Sequence, residues 1–150
     1  MGELDRDLLE AFAGGPIVPG MSLRAGDARD SGEAPPPFDP ELDQPTPEYF
    51  EQYFWGLSYL DPASWRYYLP RLLRYALSSF ATPGLNSVDA VLASLRPPDR
   101  DPPRFGSLTP AQERAVARVL EELAFSPESP WQEPAIIALE EYWAPGATYR

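Results

Sequence analysis

The stretch LDPASWRYYLPRLLRYAL, residues 60–77, predicts the fold class of this 150-residue chain. Asp61 followed by Pro62 is typical of a helix N-cap and first helical position. Apolar side chains then recur at helical spacing, which predicts one long helix over residues 62–80. Because the apolar face is wide, we expect other helices to pack on both of its flanks. This face consists of Trp65, Tyr68, Leu69, Leu72, Leu73, Tyr75, Ala76 and Phe80.

The opposite face of this helix is polar, and a proline lies in the middle of the pattern. Pro70 has no N–H and removes one backbone hydrogen bond, so we expect the helix to bend there. Apolar packing should outweigh the cost of about 3 kcal/mol for an internal proline. The predicted polar face consists of Arg66, Tyr67, Arg71, Arg74 and Ser78.

A long segment rich in proline and glycine lies toward the N-terminus. Residues 3–13 have apolar positions at helical spacing and predict a first helix. Residues 14–47 contain eight Pro and five Gly, so we expect a largely irregular, acidic excursion. Inside it, Ser22 is suited to cap one short helix that reaches about Asp30.

Part of this excursion has little to bury. Within residues 31–45 the large apolar groups are Phe38 and Leu42. Burying so little apolar area offsets little of the conformational entropy that the segment loses on ordering. We therefore expect residues 31–45 to be dispensable for folding.

An aromatic stretch, YFEQYFWGLSY, covers residues 49–59. Thr46 and Pro47 predict the start of a helix through about Trp55, and Gly56 is expected to end it. Aromatic side chains dominate both protein cores and interaction surfaces. Helical spacing assigns Phe50, Phe54 and Leu57 to the core. The remaining side chains, Tyr49, Tyr53 and Trp55, are the candidates for an exposed binding surface.

Three helices are predicted toward the C-terminus. Ser87 is expected to cap a helix over residues 88–95, and prolines then predict an extended connector over residues 97–108. Thr109 and Gln112 form a capping-box pattern before an amphipathic helix with Val116, Val119, Leu120 and Leu123 on its apolar stripe. A last helix, from Pro130 or Pro134 to Trp143, buries Ile136, Leu139 and Trp143. We therefore expect residues 1–150 to form a single compact all-α domain of five or six helices.

The composition excludes several kinds of chemistry. The chain has no Cys and no His, and all 12 basic residues are Arg. Thiolate and imidazole nucleophiles, their metal sites, phosphate-loop lysines and Schiff bases are therefore excluded. We expect no cofactor, no metal and no catalytic residue, while paired carboxylates remain candidates for acid–base work or a hard cation. The pairs are Asp99 and Asp101, Glu121 and Glu122, and Glu140 and Glu141.

Charge is unevenly distributed along the chain. The net charge is -11, and only residues 57–96 carry a positive balance, of +2. An acidic surface repels the phosphate backbone and anionic lipid, so we expect neither a nucleic acid nor a membrane as partner. Without a basic, apolar leader or an 18-residue apolar run, we expect a cytoplasmic protein.

The arginines of the central helix allow two interpretations. Arg66, Arg71 and Arg74 could pair with acidic groups of this chain, which is the expected arrangement for surface charges. Alternatively, they could form a site for an anion or an acidic partner, because a guanidinium recognises carboxylate and phosphate groups with two hydrogen bonds.

Several motifs resemble one family. They are LLEAF (8–12), MSLRAGDARD (21–30), residues 60–77, LTPAQERAVARVLEEL (108–123) and ALEEYW (138–143). With these motifs the chain resembles a family of small bacterial helical proteins, a domain of unknown function. Its members show Tyr-Leu-Pro, here Tyr68-Leu69-Pro70, and a Leu-Thr-Pro-x-Gln helix start, here Leu108-Thr109-Pro110-Ala111-Gln112. Residues 31–47 depart from the pattern. The resemblance implies a compact helical fold and carries no catalytic residues.

Two functions remain open from the sequence. The first is a non-enzymatic protein-interaction module, of an immunity or adaptor type, that binds a basic protein through an acidic, aromatic surface. The second is an enzyme or small-ligand-binding protein that uses carboxylates and arginines. A concave pocket enclosing Arg and two or more carboxylates would favour the second, and a flat exposed aromatic patch with an acidic rim would favour the first. The sequence does not specify the oligomeric state.

Overall fold

The computed structural model describes residues 2–98 and 103–150. Within these ranges the chain forms seven α-helices and no strand, so the predicted all-α class is confirmed. The helices are α1 (Glu3–Ala11), α2 (Leu23–Asp30), α3 (Pro47–Tyr53), α4 (Pro62–Leu77), α5 (Asn86–Ser94), α6 (Pro110–Phe125) and α7 (Gln132–Ala138). The shorter elements are a 3₁₀ helix after α3 (Phe54–Tyr59), a 3₁₀ turn (Phe105–Ser107) and a π-helical turn after α7 (Leu139–Trp143).

Side-chain caps begin four of these helices at the predicted residues. Each cap accepts a hydrogen bond from a backbone N–H of the first turn, a group that has no partner inside the helix. Gln112 also accepts from the backbone of Thr109, which completes the predicted capping box. The four caps are Ser22, Thr46, Asp61 and Thr109.

The start of α5 differs from the prediction. The helix begins at Asn86, with Leu85 at the N-cap position, so Ser87 lies inside it. The cap comes from α3, where the Glu51 carboxylate accepts hydrogen bonds from the backbone N–H (3.4 Å) and the hydroxyl of Ser87. A local pattern did not indicate this cap because it joins residues 36 positions apart.

Helix α4 runs without interruption through Pro70 and contacts α1, α5 and α6. Its predicted apolar face is buried over Trp65, Tyr68, Leu69, Leu72, Leu73 and Ala76. The helix ends at Leu77, so Phe80 lies beyond it, and its ring centroid is 6.4 Å from that of Trp131. The assignment of Tyr67 to the polar face was wrong. Its ring is buried because it packs edge-on against Tyr68 beneath the Arg71 guanidinium.

Helix α6 packs between α1 and α7, and its predicted stripe of Val116, Val119, Leu120 and Leu123 is buried. Trp143, in the π-helical turn, donates a hydrogen bond from Nε1 to the carbonyl of Leu95 at the end of α5 (2.7 Å). Leu139 is buried as predicted, whereas Ile136 is only partly buried.

Two glycines allow α2 to touch the 3₁₀ helix Phe54–Tyr59 backbone to backbone. A Cβ on Gly26 would overlap the Gly56 carbonyl oxygen and lie 2.8 Å from its Cα. A Cβ on Gly56 would overlap the Leu23 carbonyl oxygen and lie 2.7 Å from the Asp27 nitrogen. The prediction that Gly56 ends a helix was therefore wrong, because helical structure continues to Tyr59. This glycine permits the close approach of two elements.

A buried carboxylate anchors the excursion to the core. Asp43 is 1% exposed, and its two oxygens accept from Arg24 Nε and Nη2 (3.0 Å each), from Tyr49 OH (2.8 Å) and from the backbone N–H of Asp39 (2.8 Å). Tyr49 OH lies 3.5 Å from Tyr68 OH. The Asp43 cluster, formed by these side chains of Asp43, Arg24, Tyr49 and Tyr68, joins the excursion to α2, α3 and α4.

This cluster changes the expectation for residues 31–45. Leu42, one of the two anticipated anchors, is 60% exposed, and Phe38 is partly buried. The segment is held instead by Asp43, whose partners in α2 and α3 fix it by hydrogen bonds. We therefore expect residues 39–45 to be needed for stability, and only the stretch before them to tolerate replacement.

Gly26→Ala should destabilise the protein although alanine is the better helix former. The helix propensity gain is at most about 1 kcal/mol, whereas a side chain forced into a filled space costs about 1–3 kcal/mol and occasionally more. The backbone contact leaves no flexible group to move aside, so we expect a net loss in the free energy of unfolding measured with urea. Gly106→Ala is the control, since its Cβ would lie at an ordinary 3.7 Å from Pro103 Cβ. Equal stability of both variants would contradict the contact.

Asp43→Asn should destabilise the protein strongly. Removing one partner of a buried ion pair costs about 3–5 kcal/mol, and we expect the lower end because the Arg24 side chain keeps 18% of its surface exposed. The exposed Glu41→Gln in the same segment is the matched control and should have almost no effect on the urea midpoint. A small effect of Asp43→Asn, close to that of the control, would count against the anchor.

The same carboxylate should make stability depend on pH. Burial raises the pKa of Asp43, but the hydrogen bonds from Arg24, the Asp39 N–H and Tyr49 outweigh it, so the pKa lies below its ordinary value. The stabilisation is therefore present above the unfolded-state pKa of about 3.9 and is lost as pH falls through the lower folded-state pKa. Urea titrations of wild type and Asp43→Asn should converge from about pH 5 downward. A constant difference down to about pH 2 would be the contrary result.

Candidate functional site

One of the four tryptophans lies exposed on the surface. Trp55, in the 3₁₀ helix Phe54–Tyr59, is 61% exposed, whereas the other three tryptophans are at most 6% exposed. Its ring lies against Phe54, with 4.7 Å between ring centroids. Because a 3₁₀ helix has three residues per turn, the sequence that buries Leu57 turns Trp55 away from the core.

Trp55 borders a groove of about 830 Å³ between the 3₁₀ helix and α5. Its walls are largely apolar, and the space falls within the range of ligand and peptide sites. We call this the Trp55 groove. It is lined by Phe54, Trp55, Leu57, Ser58, Asn86, Asp89, Ala90, Ala93, Ser94, Arg96, Pro97, Pro98 and Arg104.

Both arginines of the Trp55 groove are engaged by the protein itself. Arg96 forms a two-point ion pair with Glu141, with distances of 2.6 and 2.9 Å. Arg104 is 3% exposed and donates to the carbonyl oxygens of Leu57 and Leu60. Both guanidinium groups are therefore engaged within the fold, and Asp89 is the remaining charged side chain among the described lining residues.

Acidic groups surround the 3₁₀ helix. Burial and the nearby Glu51 raise the pKa of Asp89, which lines the groove. On α2, burial, Asp30 and Glu33 raise the pKa of Asp27. In both cases burial is the largest cause, and the neighbouring carboxylates act in the same direction.

Neighbouring polar groups complete this surface. Tyr59 is 39% exposed and donates a hydrogen bond to Asp30 (2.9 Å). Arg29 is exposed on α2 and forms no ion pair with the described carboxylates. We use the term acidic rim for Asp89, which lines the groove, together with Asp27, Asp30 and Glu33, which belong to α2 and its C-terminal end on the other side of the 3₁₀ helix.

The structure separates the three aromatics that the sequence assigned to one exposed surface. Tyr49 is 5% exposed, so its expected exposure was wrong, because its hydroxyl is held inside the Asp43 cluster. Tyr53 is partly buried against Tyr49, with 5.0 Å between ring centroids. Trp55 alone is well exposed. Of the predicted core positions, Phe50 and Leu57 are buried, whereas Phe54 is partly exposed at the groove.

Arg66, Arg71 and Arg74 come together at a second site. They line a pocket of about 410 Å³ between α4 and residues 9–17. Arg74 Nε contacts Asp5 of α1 at 3.4 Å. Neither Arg66 nor Arg71 has a carboxylate partner among the described residues, so the expectation that acidic groups of this chain cover the whole face holds only for Arg74.

The paired carboxylates that the structure describes form no common site. Asp99 and Asp101 lie outside the described residues. Glu121 and Glu122 are exposed on α6, and Glu141 is held by Arg96 while its neighbour Glu140 is exposed. No group of three or more acidic side chains in residues 2–98 and 103–150 is placed to hold a metal ion.

Sequence reasoning missed the acidic residues that lie beside the 3₁₀ helix carrying Trp55. Asp27 follows Gly26, and its position beside the 3₁₀ helix depends on the contact of that glycine with Gly56. Asp89 reaches the groove because α5 packs against the 3₁₀ helix. The available signal in the sequence was Gly26 in the middle of a predicted helix. A glycine at such a position can indicate that another part of the backbone packs closely against the helix.

The fold and the groove define an all-α protein with an exposed aromatic site. A family of unknown function, DUF6714, matches residues 2–147, and the chain belongs to this family. No curated protein and no solved structure matched the chain. No helix in the described part of the chain has both the length and the apolar character needed to cross a membrane.

Tryptophan fluorescence tests the exposure and the charge around Trp55. Collisional quenchers should reach this indole and not the three buried ones, so Trp55→Phe should remove most of the quenchable emission. Because the acidic rim attracts cations, caesium should quench more than iodide when each is normalised to free tryptophan. Asp27→Asn combined with Asp89→Asn should reduce this preference. Quenching that persists in Trp55→Phe, or a preference for iodide, would contradict the described surface.

Proposed function

We propose that this chain is a non-enzymatic interaction module, of an immunity or adaptor type, that binds a basic protein partner at the Trp55 groove. The observation that carries the proposal is an exposed tryptophan beside an apolar groove with an acidic rim. Tryptophan is enriched among the residues that dominate the binding energy of protein interfaces. The expected occupant is a protein segment that offers one apolar anchor and flanking arginines or lysines.

Charge complementarity supports a basic occupant. Arg96 and Arg104 are engaged by groups of the same chain, so they do not offset Asp89 from inside the groove. Burial, followed by neighbouring carboxylates, raises the pKa of Asp89 and of Asp27, and cations on a partner would favour the charged form of both groups. Binding should therefore lower both pKa values, and affinity should fall with added salt and with acidification.

The groove favours this function over an enzyme that uses arginines and carboxylates. Among the lining residues that the structure describes, a single carboxylate, Asp89, is present, and Arg96 and Arg104 are both engaged by groups of the same chain. General acid–base chemistry needs groups placed on a reacting atom, with pKa values matched to the task. The Trp55 groove instead offers an apolar surface with negative charge beside it. These are features that a protein uses to recognise a partner.

Crosslinking from the groove tests the proposal inside the source cells. A photoreactive amino acid is placed at position 58 of the full chain, where the exposed Ser58 lines the groove and Trp55 is kept, and at position 125 in a control, because Phe125 is exposed on α6. We expect position 58 to capture a protein with an excess of Lys and Arg, and position 125 not to capture it. Adding Asp27→Asn and Asp89→Asn should reduce the yield.

Affinity measurements with the captured protein complete the test. Trp55→Ala should weaken binding roughly 30-fold, the effect of losing a binding hot spot of about 2 kcal/mol, while Phe125→Ala should leave it unchanged. Circular dichroism verifies that both variants are folded. Capture of the same proteins from both positions, capture of acidic proteins only, or equal affinity of the two alanine variants would refute the proposal.

A further inference from the structure

The second pocket gathers cations in a strongly acidic chain. One wall is α4, which contributes Arg66, Tyr67, Pro70, Arg71 and Arg74, and the other is the end of α1 with the loop after it. Gly14 makes the turn after α1 at φ 85°, a conformation that favours glycine. No carboxylate is among the described lining residues, and the volume is about 410 Å³. We call this the arginine pocket.

The arginines of this pocket retain hydrogen-bonding capacity. Arg71 lies over the Tyr67 ring, 3.8 Å from its centroid, and uses one N–H on the Tyr67 carbonyl oxygen, which fixes the guanidinium plane. Arg66 is partly buried and has no ion pair or hydrogen bond with the described residues. Arg74 uses Nε on Asp5 and leaves its other N–H groups available. A guanidinium has five N–H donors, so most donors of the three side chains remain open.

Comparison with other described arginines shows that a partly buried arginine without a carboxylate partner is unusual in this chain. Arg24, Arg96, Arg118 and Arg150 each pair with a carboxylate. Arg6, Arg29 and Arg114 lack such partners but are exposed to water. Arg66 and Arg71 are the described arginines that combine partial burial with no carboxylate, although acidic residues outnumber basic ones by 23 to 12.

We propose that the arginine pocket binds a small organic dianion, a phosphate monoester or a dicarboxylate. Three arginines and the single paired Asp5 leave a local charge of about +2, which a dianion balances. Leu9, Phe12 and Ile17 form the apolar part of the lining and favour a ligand with a carbon body over an inorganic ion. The site shares no lining residue with the Trp55 groove, so the two proposals stand independently.

The geometry favours a small ligand over a nucleic acid. Binding to a phosphate backbone needs cations spread along several successive phosphates. Here the three arginines converge on one concavity, and the excess of acidic residues elsewhere repels a polyanion. A small dianion enters the pocket without approaching those other carboxylates.

Calorimetric titration of the full chain tests the pocket with defined probes. Phenyl phosphate and phthalate represent the two dianions, benzoate represents a monoanion, and duplex and single-stranded DNA represent polyanions. We expect at least one dianion to bind, with an affinity at least tenfold above that of benzoate, and the stronger of the two to identify the ligand class. Arg66→Gln and Arg71→Gln should each weaken this binding at least tenfold. Arg114→Gln, an exposed arginine outside the pocket, should leave it unchanged.

Folding controls keep the result decisive. The unfolding midpoint of each variant is measured, and Arg66→Lys provides a variant that keeps the charge but loses the two-point hydrogen bonding of arginine. It should bind more weakly than wild type and more tightly than Arg66→Gln. Failure of both dianions to bind up to about 10 mM, equal losses in Arg66→Gln and Arg114→Gln, or a clear preference for DNA that depends on Arg66 would overturn the proposal.

Discussion

The buried carboxylate of Asp43 is the interaction on which the arrangement of the N-terminal half depends. It lies in a segment with almost no apolar side chains, and it accepts four hydrogen bonds from groups in three parts of the chain. A buried charge is stable only when paired and fully hydrogen-bonded. Burial also raises the pKa of Tyr68 to about 12 and raises that of Tyr49, so both hydroxyls stay protonated in the cluster. The cluster therefore needs Arg24, Tyr49 and Tyr68 in place at the same time. This requirement fixes α2 relative to α3 and α4.

The placement of α2 has a direct effect on the candidate binding surface. The Asp43 cluster holds α2 through Arg24, and Gly26 brings it against Gly56 of the 3₁₀ helix. This approach places Asp27 and Asp30 beside the element that exposes Trp55. The proposed recognition surface thus depends on contacts that are themselves buried. On α4, by contrast, Arg66 and Arg71 have no carboxylate partner among the described residues, because most of the described carboxylates face solvent. The two proposed sites therefore attract ligands of opposite charge.

The helices were predictable because their caps and apolar spacing depend on residues close in sequence. Most of the wrong predictions concern residues whose partners are distant in sequence. Ser22, Thr46, Asp61 and Thr109 cap helices through bonds within three residues, so their roles are visible in the sequence. The functions of Ser87, Gly56 and Tyr49 instead depend on Glu51, Gly26 and Asp43, which are supplied by other segments. Periodicity identified Trp55 as a surface residue but placed Tyr49 beside it, because spacing does not show that a hydroxyl has a buried carboxylate as its partner. The convergence of Arg66, Arg71 and Arg74 on α4 was foreseeable, whereas the loop that makes their face concave was not.

Native-state hydrogen exchange is the sharpest test of whether the Asp43 cluster joins the excursion to the core, because it measures the stability of each segment in the unmodified protein. The amides of Leu23, Arg24 and Asp39 donate to Tyr68 OH, Tyr49 OH and Asp43, all inside the cluster. If the cluster makes this part of the excursion an integral part of the core, these amides should exchange with the protection of the buried turns of α4. The exposed amides of Ala34 and Gln44, which donate no hydrogen bond to the described residues, should exchange far faster. Exchange of the Asp39 amide at the rate of Ala34 and Gln44 would contradict the account.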